Sequence, residues 1–352
     1  MDSKKDLEID TTTNQRSIGL DLLRIFASFM VVVQHVSSYG LEGFPVGTIG
    51  WRASNFYCAS VRWAVPIFFV ISGHLFLNRE GRFSVSKLFK KNVPKLVIVY
   101  FVWLLFYATV DIEARSMNFT DALLKIIQEA LNNGKYHLWF LPTMIGCYLM
   151  LPVFHTLAEY KEGRYLKCVC VMFFILGIMR NTLFPFQDNY LAIAVWRIDF
   201  CLAGYLGYFL LGAYLGRIDQ DKYRIRYMTV FLFLTLTAQV VLCDRLGVRS
   251  GLLYGNFHVM TFIEVVLLFL IARKLRRVMI PECGKKIISS LAQATLGVYL
   301  IHIYVLEHLE QVSIYSFTQW LSIPAISLLV FGISMCVSLI LKHIPFLGKW
   351  LV

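Results

Sequence analysis

Charge is what this chain is short of: 16% of its 352 residues are Asp, Glu, Lys or Arg, against 58% hydrophobic residues and a mean hydropathy of +0.63. That balance excludes an ordinary soluble domain, in which about a quarter of the residues are charged. The eight cysteines (Cys58, Cys147, Cys168, Cys170, Cys201, Cys243, Cys283, Cys336) include no C-x-x-C pair, so neither a zinc ribbon nor a disulfide frame is indicated. Scattered mostly inside apolar runs, they read as packing residues, and no metal site is expected. Linkers, low-complexity tracts and nucleic-acid motifs are also missing. No small-x-small site follows the first apolar run, so it is expected to stay attached and not to act as a cleaved signal peptide.

Present instead are apolar runs close to the roughly 20 residues that cross a bilayer. Ten recur, at about 17–37, 59–77, 95–113, 137–157, 166–184, 199–216, 227–244, 257–272, 287–306 and 321–341. The prediction is an all-α, polytopic membrane bundle of about ten transmembrane helices, with a polar head at 1–16 and one transmembrane domain over 17–352. Of the 34 Lys and Arg, 24 fall on one set of connections, nine on the other, and Arg24 lies inside the first run. By the positive-inside rule the richer face, which holds both termini, is expected in the cytoplasm. The same rule accounts for the net charge of +12 without invoking nucleic acid as a partner.

Two smaller patterns stand out. Residues 119–131 carry apolar side chains at helical spacing within the longest outward loop, which predicts a helix lying on the outer membrane face. Gly212 and Gly216 form a G-x-x-x-G pair that suits close helix packing, within or between chains, or else a substrate groove. The oligomeric state stays open.

The chemistry begins in the first run, GLDLLRIFASFMVVVQH. Arg24 and His35 are eleven positions apart, almost three turns, so both project from one helix face about 16 Å apart along the axis. Asp21 shares that face and can pair with Arg24. Ionisable groups at such depth are functional candidates, although a snorkelling Asp21 and Arg24 pair with His35 in the headgroup layer is the plainer alternative. Glu264 lies mid-run, where an ionised carboxylate is costly, so it pairs with a cation, is protonated, or lines a site. His302 lines a cavity or is a structural histidine. His137 beside Trp139 is an interfacial anchor or binds substrate. Ser72 is an acyl carrier or, as Ser-Gly usually is in membrane helices, a packing residue.

An arginine, ten residues and a histidine in the first run resemble the signature of the acyltransferase 3 family of integral membrane acyltransferases. Val65 to Phe76 (VPIFFVISGHLF), His137-Leu138-Trp139-Phe140-Leu141 and Leu296 to His302 (LGVYLIH) resemble later landmarks of that family, so the likeness covers nearly all of the chain. The short form is similar to bacterial surface-glycan O-acetyltransferases of the enterobacterial common antigen type. His74 stands where the family has Phe or Tyr, and the basic pair after the second run is represented by Lys90, Lys91 and Lys95.

The resemblance implies a multi-pass protein of the bacterial inner membrane. Its reaction would move an acyl group, preferably acetyl, from cytosolic acetyl-CoA to a hydroxyl of a lipid-linked or exported glycan. Arg24 with Lys90, Lys91 and Lys95 would hold the acyl-CoA phosphates and thioester, although lysine is the weaker bidentate ligand. His35 carries an imidazole, the side chain suited to general-base work, and would be the general base. Asp21, Ser72, His74, His137, Glu264 and His302 would border the substrate cavity. The rival reading is a transporter or flippase using Arg24, Glu264 and His302 as midplane ligands. No similarity is evident between residues 1–176 and 177–352, where many transporters carry repeats.

Overall fold

The computed structural model describes residues 17–78, 84–110, 119–132, 135–183, 204–219, 223–246, 254–275, 280–310, 318–344 and 348. The head at 1–16, the start of the outward loop at 111–118, Cys201 and residues 199–203 of the sixth run lie outside them. Among the described residues every regular element is helical. We number α1 Ile18–Gly43, α2 Ile49–Ser60, α3 Ala64–Leu77, α4 Val85–Val110, α5 Phe119–Asn132, α6 Phe140–Leu149 and α7 Leu151–Glu159. There follow α8 Arg164–Leu183, α9 Tyr205–Arg217, α10 Ile225–Leu246, α11 Val259–Lys274, α12 Glu282–Glu310 and α13 Gln319–His343.

Seven helices among the described residues are long and apolar enough to cross a membrane. An eighth is formed if Tyr136–Leu149 and Leu151–Glu159, bent by 52°, count as one span. The count is lower than the ten apolar runs because the sixth and eighth fall on α9 and α11, which have 13 and 16 residues. The chain is thus a multi-pass membrane protein, helical throughout its described elements, and the amphipathic segment at 119–131 lies on α5, with Leu123, Leu124 and Ile127 exposed.

Helix α1 is the centre of the bundle. It packs against α2, α3, α11, α12 and α13, burying Leu20, Leu23, Ala27, Val31, Val32 and Val36. In lipid the hydrophobic effect gives no drive for helix association, so close packing of small residues has to supply it. The most extensive pair, α3 with α9, shows how. A Cβ on Gly73 would strike the Phe209 carbonyl, and one on Gly212 would strike the Val70 carbonyl. Gly216, the second member of the G-x-x-x-G pair, faces His74 and Asn78 in the same way. Ala64, Ile67, Val70 and Ile71 of α3 and Leu210, Leu211 and Ala213 of α9 are buried around this seam.

Polar caps fix the ends. Thr48 accepts a hydrogen bond from the Trp51 amide at 3.3 Å and starts α2. At the other end of the seam, Arg217 donates to Asn78 Oδ1 at 3.0 Å and to the carbonyls of Ala158 and Leu77. Arg273 donates to the Leu215 carbonyl at 2.5 Å. These cations sit on carbonyls that a helix C-terminus leaves without intrahelical partners, where both hydrogen bonding and the dipole favour them. Within α4, a π turn at Leu88–Asn92 precedes Pro94, which has no amide to offer the Lys90 carbonyl.

Candidate functional site

One face of α1 carries Arg24, Ser28, Val31, Gln34 and His35, at helical spacings of four, three and three residues followed by a neighbour. All five border a cavity of about 490 Å³, within the size range of small-ligand pockets. Ser72 and Phe68 of α3, Leu96 of α4, Met144 of α6 and Gln293, Thr295 and Tyr299 of α12 face them across it. Because both Arg24 and His35 line it, the cavity runs about 16 Å along α1, the rise of eleven helical residues.

At the Arg24 end, Arg24 Nη1 lies 3.9 Å from Asp21 Oδ1, so the expected i, i+3 pair is formed. Among the described residues lining the cavity, Arg24 is the only Lys or Arg. The far end is aromatic and imidazole-rich. The His302 ring centre is 5.2 Å from that of His35 and 5.5 Å from that of His137. Tyr136 brings its hydroxyl to 3.4 Å from His35 Nδ1. The Tyr299 hydroxyl donates to the His137 carbonyl, and Tyr107 donates to the Leu300 carbonyl at 2.7 Å. The Tyr299 bond ties the short 3-10 turn Tyr136–Trp139 to α12, and Tyr107, itself bonded to α12, packs edge-on against the His137 ring at 5.0 Å, so His137 reaches the cluster from a separate part of the chain.

Arg24, His35, Ser72, His137 and His302 therefore converge on one cavity. His137, read first as an interfacial anchor and second as a substrate-binding residue, is 2% exposed and belongs to the cavity wall. Six other candidates do not line it. His74 Nδ1 accepts from Asn78 Nδ2 at 3.0 Å and its ring packs edge-on against Phe269 at 5.4 Å, so it serves the α3 and α9 seam. Asp21 lies behind Arg24, buried at 5% exposure. Glu264 is fully buried in α11 with no hydrogen-bond partner among the described residues, and it does not line this cavity. Lys90 and Lys91 are exposed and Lys95 is half-buried; their neighbour Leu96 reaches the cavity, but they do not. Lys90 and Lys91 lie in the π turn, and Lys95 follows it.

Missing from the sequence reading were Gln34, Tyr136, Asn256, Gln293, Thr295 and Tyr299. Gln34 had a signal, a polar amide next to His35 in an apolar helix. The others are brought in by tertiary packing. Among the described residues no group of three His, Cys, Asp or Glu side chains could hold a metal ion. The site offers a guanidinium at one end, an imidazole cluster at the other and neutral hydrogen-bonding groups between: an anion-compatible group and a proton acceptor on one cavity.

The chain is similar in sequence to several known proteins. The chain is 22% identical over 345 residues to a protein named amino-acid racemase from Enterococcus faecalis, covering 94% of this chain and 46% of that one. It is 25% identical over 306 residues to a serine/alanine racemase from Enterococcus gallinarum, covering 81% and 40% respectively. The chain thus spans less than half the length of these curated relatives. No solved structure matches it. The model of the acyltransferase 3 family, described as an acyltransferase domain, matches residues 17–343, and the chain belongs to that family.

Proposed function

We propose that this protein is a membrane O-acyltransferase. It carries an acyl group, preferably acetyl, from cytosolic acyl-CoA to a hydroxyl of a lipid-linked or exported glycan. One observation carries the reading: Arg24 and His35 open into the same cavity from opposite ends, with His302 and His137 beside the histidine. Arg24 attracts the donor's anionic arm and steadies charge growing on the thioester oxygen. His35 removes the proton of the acceptor hydroxyl as its oxygen attacks the thioester carbon. The carbon–sulfur bond breaks, and the thiolate leaves with the proton that His35 returns, giving an ester and free CoA. Lys90, Lys91 and Lys95 do not line the cavity and act, in this reading, on the distal phosphates of the donor, beyond it.

We place the protein in a bacterial inner membrane with both termini cytoplasmic, so that the Arg24 end faces the donor. We assign racemisation to the parts of the named relatives that this chain does not match. The transporter alternative loses one of its three ligands, since Glu264 does not line the cavity shared by Arg24 and His302.

The test is transfer of label from radiolabelled acetyl-CoA to total lipid-linked glycan, in membranes holding equal amounts of intact protein or His35→Ala. Label with the former alone supports the reading, equal label with both sinks His35 as the base, and no label with either points to another donor, another acceptor or the transporter reading. The purified protein in detergent, with no compartments to transport between, should release free thiol from acetyl-CoA when acceptor is added.

A further inference from the structure

The short connection into α11 is fastened at several points, and one polar atom of it is left over. The Tyr208 hydroxyl of α9 donates to the Asn256 carbonyl oxygen at 2.6 Å, and Thr261 donates to that of Gly255 at 3.2 Å. Thr182, near the end of α8, accepts from the Val259 amide at 3.0 Å, and His258 Nδ1 accepts from that of Met260 at 3.3 Å. The Asn256 side chain is held as well, its Nδ2 donating to the Tyr205 hydroxyl at 2.5 Å. Its Oδ1 is buried with no hydrogen-bond partner among the described residues, and Asn256 borders the cavity. Gln34, beside His35 on α1, repeats the pattern: it borders the same cavity, and its Oε1 is buried without a partner among the described residues. A buried amide oxygen that receives no hydrogen is costly unless a ligand supplies the donor.

Both amides belong to the His35 end. Gln34 adjoins His35 in sequence, and Asn256 is linked to it through rings. Tyr205, which holds Asn256, has its ring centre 4.9 Å from that of Trp139, and Trp139 ends the 3-10 turn whose Tyr136 hydroxyl lies 3.4 Å from His35 Nδ1. Trp139 also borders the cavity and is 40% exposed, so this wall offers an indole beside two neutral acceptors. Among the described residues no Asp or Glu borders the cavity, whereas Arg24 does. An ammonium ligand would find a like charge and no carboxylate there, while an uncharged hydroxyl needs only the acceptor oxygens.

We propose that Asn256 and Gln34 form the subsite that recognises the acyl acceptor, and that this acceptor is a neutral sugar ring with free hydroxyls beside the one that is acylated. Asn256 Oδ1 and Gln34 Oε1 each accept a hydrogen from a hydroxyl that does not react. A third hydroxyl gives its proton to His35, as in the acyl-transfer step, so the two amides make and break no covalent bond. The proposal rests on the acyl-transfer reading and supplies its acceptor class. A site that hydrogen-bonds particular hydroxyls rejects analogues lacking them, because its buried oxygens are then left unpaired. Asn256 and Gln34 are in this way specificity-determining residues.

The experiment uses the full chain in phospholipid nanodiscs free of sugar detergents, with octyl β-D-glucopyranoside, octyl β-D-galactopyranoside and octylammonium as probes. Binding is read by saturation-transfer NMR, which needs no turnover. At least one glycoside should bind saturably through its ring protons, and octylammonium should not displace it. Gln34→Met, which breaks no hydrogen bond made by Oε1, and Asn256→Leu should each raise the Kd of that glycoside about 10-fold, as the loss of one hydrogen bond would, with Kd for CoA unchanged. Asn256→Asp, which keeps an acceptor oxygen at both positions, should recover part of the loss. Absence of saturable binding by both glycosides overturns the proposal with no variant having to fold. Displacement by octylammonium overturns it too, as does a glycoside Kd that Gln34→Met leaves unchanged. Tyr205→Phe keeps Asn256 Oδ1 and removes only its support, so a loss as large as that of Asn256→Leu would reduce Asn256 to a structural part. Glycoside binding with the stated losses, in a protein that transfers no label from acetyl-CoA, would instead sink the acyl-transfer reading and leave the subsite standing.

Discussion

Arg24 shows what one residue does in this bundle. It lies in an apolar helix, pairs with Asp21, and is the cation that the cavity meets at one end. Removing its charge would take the neighbouring cation from a carboxylate at 5% exposure, which is destabilising in itself. Arg24→Lys is therefore the informative change, because it keeps the charge and loses the planar fork. If the guanidinium grips the donor with one charge-assisted hydrogen bond that an ammonium cannot reproduce, KM for acetyl-CoA should rise about 10-fold with kcat nearly preserved. Steady-state kinetics in detergent would read it. An equal fall in kcat with KM unchanged would move Arg24 from donor binding to the transition state. The placing of this residue was legible from sequence because Arg24 and His35 share one helix, where spacing alone sets the face. The fate of His74 and Glu264 was not. Both are polar residues in apolar runs, but whether such a residue meets a cavity or a neighbouring helix depends on packing partners far along the chain. His74 meets Asn78 and Phe269, and nothing in its local sequence distinguishes it from Ser72, two positions earlier.

Helices follow a different logic, because their contacts are set by what is small. The α3 and α9 seam brings each backbone against the other at Gly73 and Gly212, where an added methyl group meets a carbonyl that cannot rotate away. Overpacking of this kind costs about 1–3 kcal/mol. Gly73→Ala and Gly212→Ala should each lower the temperature at which the detergent-solubilised protein loses its monodisperse peak. Gly146→Ala is the control: a Cβ there meets nothing within 4 Å, and alanine is the better helix former. Equal behaviour of all three would show that the seam tolerates separation. The G-x-x-x-G pattern pointed to close packing, and the partner it packs against, α3, could not be read from it. The span count was limited by the same gap. Hydropathy sees apolar length, so α9 and α11 registered as runs, but only the folded chain shows them as helices of 13 and 16 residues inside the bundle.

At the scale of the whole molecule, orientation in the membrane decides what the cavity means. Acyl-CoA is cytosolic, so the donor assignment requires the Arg24 end of α1 to face inward. The excess of Lys and Arg on alternate connections argues for that orientation, and it predicts a chemical asymmetry in two exposed thiols. Cys283, at the start of α12, and Cys168, near the start of α8, are both exposed and adjoin connections counted on the basic face. A membrane-impermeant maleimide should therefore label both in inside-out vesicles and neither in right-side-out ones, as read by peptide mass. Four other described cysteines, Cys58, Cys147, Cys170 and Cys243, are buried and should stay unmodified until the protein unfolds. Labelling of Cys283 from the outside would turn α12 over, and α1 with it, since the two helices pack along one another. Arg24 would then open where no acyl-CoA is found and His35 toward the cytosol. The cavity would keep its geometry, but its anionic ligand would have to come from outside the cell, and donor transfer from acyl-CoA would be untenable.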